Sequence, residues 1–111
     1  MEFDSLLKLM VHKNASDLFI TAGIPPSMKV NGKISAVAKG SLTPDQSRQV
    51  VYSIMNADQR AEFDQHHECN FALSRTGIGR FRVNVFQQRN QVGMVLRKIE
   101  THIPTFEDLN L

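Results

Sequence analysis

Apolar residues recur at two periods along the chain, and each change of period marks a new element. Phe3, Leu6, Leu7, Met10 and Val11 form one stripe at helical spacing, which predicts an amphipathic helix over residues 2–12. Asn14 suits its end, because asparagine tolerates the left-handed conformation. Ser16-Asp17 then introduces Leu18-Phe19-Ile20, a short apolar strand. Gly23-Ile24-Pro25-Pro26 predicts a turn, since proline cannot donate to a ladder. Met28-Lys29-Val30 and Ile34-Ser35-Ala36-Val37 flank Asn31-Gly32, a type I′ hairpin signal in which both central residues take positive φ.

The helical period returns over 43–55. Thr43-Pro44-Asp45-Gln46 combines a capping threonine, proline at the first helical position and glutamine at the third. Val50, Val51, Ile54 and Met55 supply its buried stripe. Asn56 with Gln59 repeats the start signature, predicting a second short helix to about Gln65 anchored by Phe63. Strict alternation follows: Cys69, Phe71 and Leu73, a turn at Gly77-Ile78-Gly79, then Phe81, Val83 and Val85 against Arg80, Arg82 and Asn84. Gln87 to Asn90 reads as a polar connection, and Gln91 to Ile99 as a return strand interrupted by Gly93. The predicted class is α+β, an antiparallel sheet with helices packed against it. Past this point Thr105 with Asp108 reads as a helix start, and Phe106, Leu109 and Leu111 as the opening of a linker to a further element.

With 111 residues, 41% hydrophobic and 22% charged, the chain is one ordinary domain with one core. The single cysteine, Cys69, rules out an internal disulfide framework and suits a reducing compartment. No Gly-x-x-x-x-Gly-Lys-Ser/Thr loop is present, so the chain does not cradle a nucleoside triphosphate that way, and with its small size this argues against a complete stand-alone NTPase. His66-His67-Glu68-Cys69 fails as a metal site, because adjacent residues point to opposite faces of a strand and no further ligand stands at the right spacing. Gly77-Ile78-Gly79 fails as a dinucleotide loop, because Arg82 occupies the third glycine's place and a strand follows.

Charge changes the picture more than composition does. Residues 1–74 hold seven basic and eight acidic side chains, whereas residues 75–98 hold six basic (Arg75, Arg80, Arg82, Arg89, Arg97, Lys98) and no acidic one. Such a segment is either a solvated strand face or an anion contact. Nucleic acid is disfavoured, because Phe86 alone interleaves with the arginines, tryptophan is absent and Tyr52 is the only tyrosine. Since Phe81, Val83 and Val85 need the core, Arg80 and Arg82 lie on the opposite face; on the return strand Arg97 shares a face with Val95 and Ile99. A four-residue loop places Arg80 opposite Arg97, and a two-residue shift places Arg82 there instead. Either of these registers sets like charges side by side, which costs stability unless an anion or carboxylate intervenes, whereas a one-residue shift separates them. Arginine suits an anion, being permanently charged and forked for bidentate phosphate contact.

Ser16-Asp17-Leu18-Phe19-Ile20, Pro26 to Val30 with Asn31-Gly32, Gly79-Arg80-Phe81-Arg82-Val83-Asn84-Val85-Phe86, Gly93-Met94-Val95-Leu96-Arg97-Lys98-Ile99 and Ile103-Pro104-Thr105-Phe106-Glu107-Asp108-Leu109 together resemble the N-terminal domain of the PilT/PilU-type pilus retraction ATPases. The stretch His67-Glu68-Cys69-Asn70-Phe71-Ala72 is most similar to the PilU branch. The resemblance implies a PAS-like domain over residues 1–100, with 101–111 starting a linker to a RecA-like ATPase core. It implies a homo-hexameric, cytoplasmic motor of type IV pili, peripheral to the inner membrane, that uses ATP and Mg. Implied partners are the RecA-like core of the same or a neighbouring subunit, a PilT-like ATPase and an inner-membrane platform protein, with no nucleic acid. Carried over by motif, Arg82 and Arg97 are the arginines that reach ATP phosphates, with Arg80 a further candidate. The 111 residues by themselves, lacking the phosphate loop, are expected to be inactive and to hold no cofactor. The rival readings are a PAS-like small-ligand sensor and a structural module that packs on neighbours through its basic face.

Overall fold

A computed structural model describes residues 2–99, and the expected linker and helix start over 101–111 lie outside them. Its elements run α1 (Phe3–His12), β1 (Asp17–Ile20), β2 (Ser27–Val30), β3 (Lys33–Ala36), α2 (Pro44–Ser53), α3 (Ala57–His66), β4 (Glu68–Arg75), β5 (Gly79–Gln88) and β6 (Gln91–Ile99). This is the α+β order read from the periodicity. The six strands form one antiparallel sheet in the order β3-β2-β1-β6-β5-β4. The N-terminal meander and the C-terminal meander therefore meet at the β1–β6 ladder, where Asp17 pairs with Arg97 and Leu18 with Leu96.

The helices cover one face. Leu6, Leu7 and Met10 of α1, Val51 of α2 and Phe63 of α3 pack with Leu18, Ile20, Phe81, Val83, Val85, Met94 and Leu96 in a single core. Burying each of these side chains contributes on the order of 1.5–3 kcal/mol. Both predicted capping boxes form: Thr43 and Asn56 each accept from the third helical N–H, while Gln46 and Gln59 reach back to the cap N–H. Ser47 is buried within α2 and donates to the Val92 carbonyl, tying that helix to β6.

Gly93 has a packing reason to be glycine. A Cβ there would stand 3.0 Å from Thr21 Cγ2, 3.1 Å from the Ile20 carbonyl oxygen and 3.1 Å from the Phe86 ring. Phe86 sits directly across the ladder from Gly93, and its ring fills the space a side chain would take.

Two local expectations are corrected. His66 and His67 do not lie on a strand: His66 ends α3, and His67 is its cap with φ 60°, in the left-handed region. The polar connection of four residues is also shorter than expected. Gln87 and Gln88 belong to β5, leaving Arg89 (φ 53°) and Asn90 (φ 63°) as a two-residue turn. Positive φ at both central positions matches the twist of a tight hairpin. The first hairpin has the same form at Asn31 (φ 51°) and Gly32 (φ 79°), where the sequence announced it.

Candidate functional site

The face of the sheet away from the helices carries the cationic cluster. Alternation along β5 sends Phe81, Val83 and Val85 into the core and leaves Arg80, Arg82 and Asn84 outside, the arginines exposed. On β6 the same face takes Val95, Arg97 and Ile99, and on β4 it takes Asn70 and Ala72. Together with Asp17 these residues line a concavity of about 630 Å³ open to solvent.

The short Arg89-Asn90 turn decides the register. It places Arg82 directly across from Arg97, and Arg80 across from Ile99. Of the two registers open to the sequence, this is the one that opposes Arg82 and Arg97. Directly opposed residues on neighbouring strands have Cβ atoms about 4.5–5.5 Å apart, so two permanent positive charges are held within reach of one anion.

The row extends across the sheet. Lys29 on β2 pairs with Asp17 on β1, Asp17 with Arg97 on β6, Arg97 with Arg82 on β5, and Arg82 with Ala72 on β4. Asp17 is buried, and its Oδ1 accepts from Arg97 Nε at 3.4 Å while its Oδ2 accepts from Ser16 Oγ at 2.7 Å. Among the described residues the ion pairs are this one and Arg75 to Asp4 at 3.1 Å. Arg80 and Arg82 therefore have no carboxylate partner there. The six cations of residues 75–98 are thus not equivalent: Arg75 ties β4 to α1, Lys98 donates to Asn14 at 2.8 Å, Arg89 sits in the turn, and Arg80, Arg82 and Arg97 share the concavity.

The sequence placed Arg80 and Arg82 on one face and left Arg97 beside them conditional on register, which the β5–β6 pairing settles; it missed Asp17. The signal was present as Ser16-Asp17 before an apolar strand. What was lacking was its partner, 80 residues further along the chain.

Cys69 belongs to a different place and a different chemistry. It is buried on the core face, and its Sγ donates to Glu62 Oε2 at 3.2 Å. Burial first, then the hydrogen bond to Glu62 and its negative charge, push the thiol up from 9.0 to about 11. It is a packing residue and a poor nucleophile at neutral pH. Tyr52 is also shifted upward, by burial first and then by its hydrogen bond to Asp64. No group of metal-ligating side chains converges among the described residues, and none of their helices is long and apolar enough to cross a membrane.

No protein-family model matches the chain. It is 63% identical over all 111 residues to the type IV pilus ATPase PilU of Pseudomonas aeruginosa, and covers 29% of that protein. It is 35% identical over 111 residues to the type IV pilus retraction ATPase PilT of the same organism, covering 32% of it. The chain thus spans about a third of the length of these curated relatives. Among solved structures, the pilus retraction motor PilT with bound ADP superimposes at a TM-score of 0.86 with 32% identity, over 96% of this chain and 32% of that one. The Legionella pneumophila ATPase DotB has the same fold at a TM-score of 0.75 and 23% identity, over 97% of this chain and 31% of that one. By sequence over its whole length, and by the superposition of its fold, the chain matches the N-terminal domain of the PilT/PilU-type pilus ATPases.

Proposed function

We infer that the chain works as the N-terminal domain of a type IV pilus retraction ATPase. In this reading it supplies Arg82 and Arg97, with Arg80 beside them, to the phosphates of ATP held by a RecA-like core. That core belongs to the same or a neighbouring subunit of a homo-hexamer at the cytoplasmic face of the inner membrane, and residues 101–111 lead toward it. The core also brings the phosphate loop and Mg, which these 111 residues do not contain. A PilT-like ATPase and a membrane platform protein are its further partners.

One observation carries the reading: Arg82 and Arg97 are opposed across the β5–β6 ladder, on an open concave face, and among the described residues one carboxylate, Asp17, pairs with Arg97 and none with Arg82. A folded domain tolerates such a pair at a cost, and the compensation comes when an anion binds. The likeness to PilU, and to PilT solved with ADP, supports a nucleotide phosphate as that anion. Charge spread over the transferred phosphoryl group is stabilised by well-placed arginines, an effect worth about 10³–10⁵ in rate where an arginine finger has been measured. Closure of the domain on the core brings the fork of each arginine to the phosphates. Hydrolysis removes the anion that holds the closed state, so the clamp releases and the domain moves.

The test is steady-state ATP hydrolysis by the full-length protein that carries this domain. Arg82→Ala and Arg97→Ala should each reduce turnover sharply while the circular dichroism spectrum and thermal midpoint remain those of a folded protein. Wild-type turnover in both variants refutes the reading and favours a small-ligand sensor or a structural module.

A further inference from the structure

We propose that Asp17 is a positioning residue, which holds Arg97 by one nitrogen so that the rest of its fork faces an incoming phosphate. The proposal rests on the arginine reading above and assigns a role to a residue outside it.

Four features of the structure lead there. The Asp17 side chain is 9% exposed, yet the side chain it holds, Arg97, is 73% exposed. The contact runs through Arg97 Nε alone. A guanidinium carries five N–H donors, and a bidentate anion contact uses two parallel ones, so the terminal nitrogens stay available. The other carboxylate oxygen is fixed by Ser16 Oγ at 2.7 Å, which locks the orientation of the acceptor. Finally, Arg82 stands across the ladder from Arg97 and repels it, and Asp17 lies on the far side. Without Asp17, that repulsion drives Arg97 outward into solvent.

An arginine side chain is flexible, and ordering it upon binding opposes the interaction. Anchoring Nε to a buried, hydrogen-bonded carboxylate orders the chain beforehand and leaves the binding edge open. Asp17 touches neither nucleotide nor reacting atoms in this scheme; it acts through Arg97. It also divides the labour of the pair: Arg97 is pre-oriented, whereas Arg82 is free to follow the phosphate.

The test is a double-mutant cycle on ATP hydrolysis by the full-length protein. Asp17→Ala should lower kcat, on the order of ten- to a hundredfold, as misplaced catalytic groups do, with KM for ATP changed much less. Asp17→Asn, whose Oδ1 still accepts from Nε, should recover most of the loss. In an Arg97→Ala background, Asp17→Ala should cost nothing further, because its route of action is gone. Wild-type turnover in Asp17→Ala beside a slow Arg97→Ala overturns this proposal and leaves the arginine reading standing. Additive losses in the double variant overturn it as well, since Asp17 then acts elsewhere. Wild-type turnover in both Arg82→Ala and Arg97→Ala overturns the arginine reading and this proposal with it. Should Asp17→Ala fail to fold, Ser16→Ala, which frees the carboxylate without removing it, takes its place in the same cycle with the same outcomes.

Discussion

Replacing Arg82 with glutamine should make the isolated domain more stable at low salt, and replacing Arg97 with glutamine should not. Both residues are exposed arginines at facing positions, so the difference lies in their other neighbours. Taking the two guanidinium groups as ~6 Å apart, consistent with a directly opposed strand pair, their repulsion in water is about 0.7 kcal/mol. At 10 mM salt the screening length of about 30 Å leaves roughly 0.6 kcal/mol of it, and at 1 M a length of about 3 Å leaves roughly 0.1 kcal/mol. Arg82→Gln removes this repulsion and breaks no ion pair among the described residues. With a urea m-value of about 1–3 kcal/mol per molar, its unfolding midpoint should rise by roughly 0.2–0.6 M at 10 mM salt.

Arg97→Gln removes the same repulsion but also the Asp17 pair, whose arginine is largely exposed and whose value is accordingly modest, about 0.2–1 kcal/mol. The two effects offset, and the midpoint should stay near wild type. The assay is urea denaturation followed by far-ultraviolet circular dichroism at both salt concentrations. A lowered midpoint for Arg82→Gln at 10 mM salt, or a rise that persists undiminished at 1 M, would refute the electrostatic account of the pair.

Gly93→Ala should destabilise the domain by about 1–3 kcal/mol, because its new methyl group meets Thr21, the Ile20 carbonyl and the Phe86 ring at 3.0–3.1 Å and the backbone oxygen cannot swing away; thermal denaturation measures it, and an unchanged midpoint would show that the ladder has room. Cys69 should resist alkylation by iodoacetamide at pH 8 in the folded state and react once urea unfolds the chain, as mass spectrometry would report. Its pKa is higher folded than unfolded, so between pH 9 and about 11 the unfolded chain loses this proton first and stability falls as pH rises. Cys69→Ala should flatten that part of the stability profile, and an unaltered slope would place its origin elsewhere.

How much of this was legible depended on how local each determinant is. Both capping boxes were readable because donor and acceptor lie three residues apart. The Asn31-Gly32 hairpin was readable because its own side chains favour positive φ. The second hairpin was read too long for the converse reason: Arg89-Asn90 contains no glycine, and an arginine at φ 53° is uncommon enough that composition does not announce it. Helix α3 was legible from its cap and Phe63, yet the turn back through His67 was not, since a left-handed histidine looks like any polar residue in sequence.

By itself the sequence determined the class of fold, most of the core-facing residues (Val11, read into the α1 stripe, is exposed), and the placing of Arg80 and Arg82 together on one outer face. All three follow from a period of 2.0 or 3.6 residues, which each segment carries within itself. The tertiary structure decided that Arg97 shares that face, which arginine it opposes, and that Asp17 joins them. Pairing register depends on the geometry of a turn, and the Asp17–Arg97 contact on the closure of a ladder between segments 80 residues apart. Neither leaves a periodic trace along the chain, and both become visible only when β1 and β6 lie side by side.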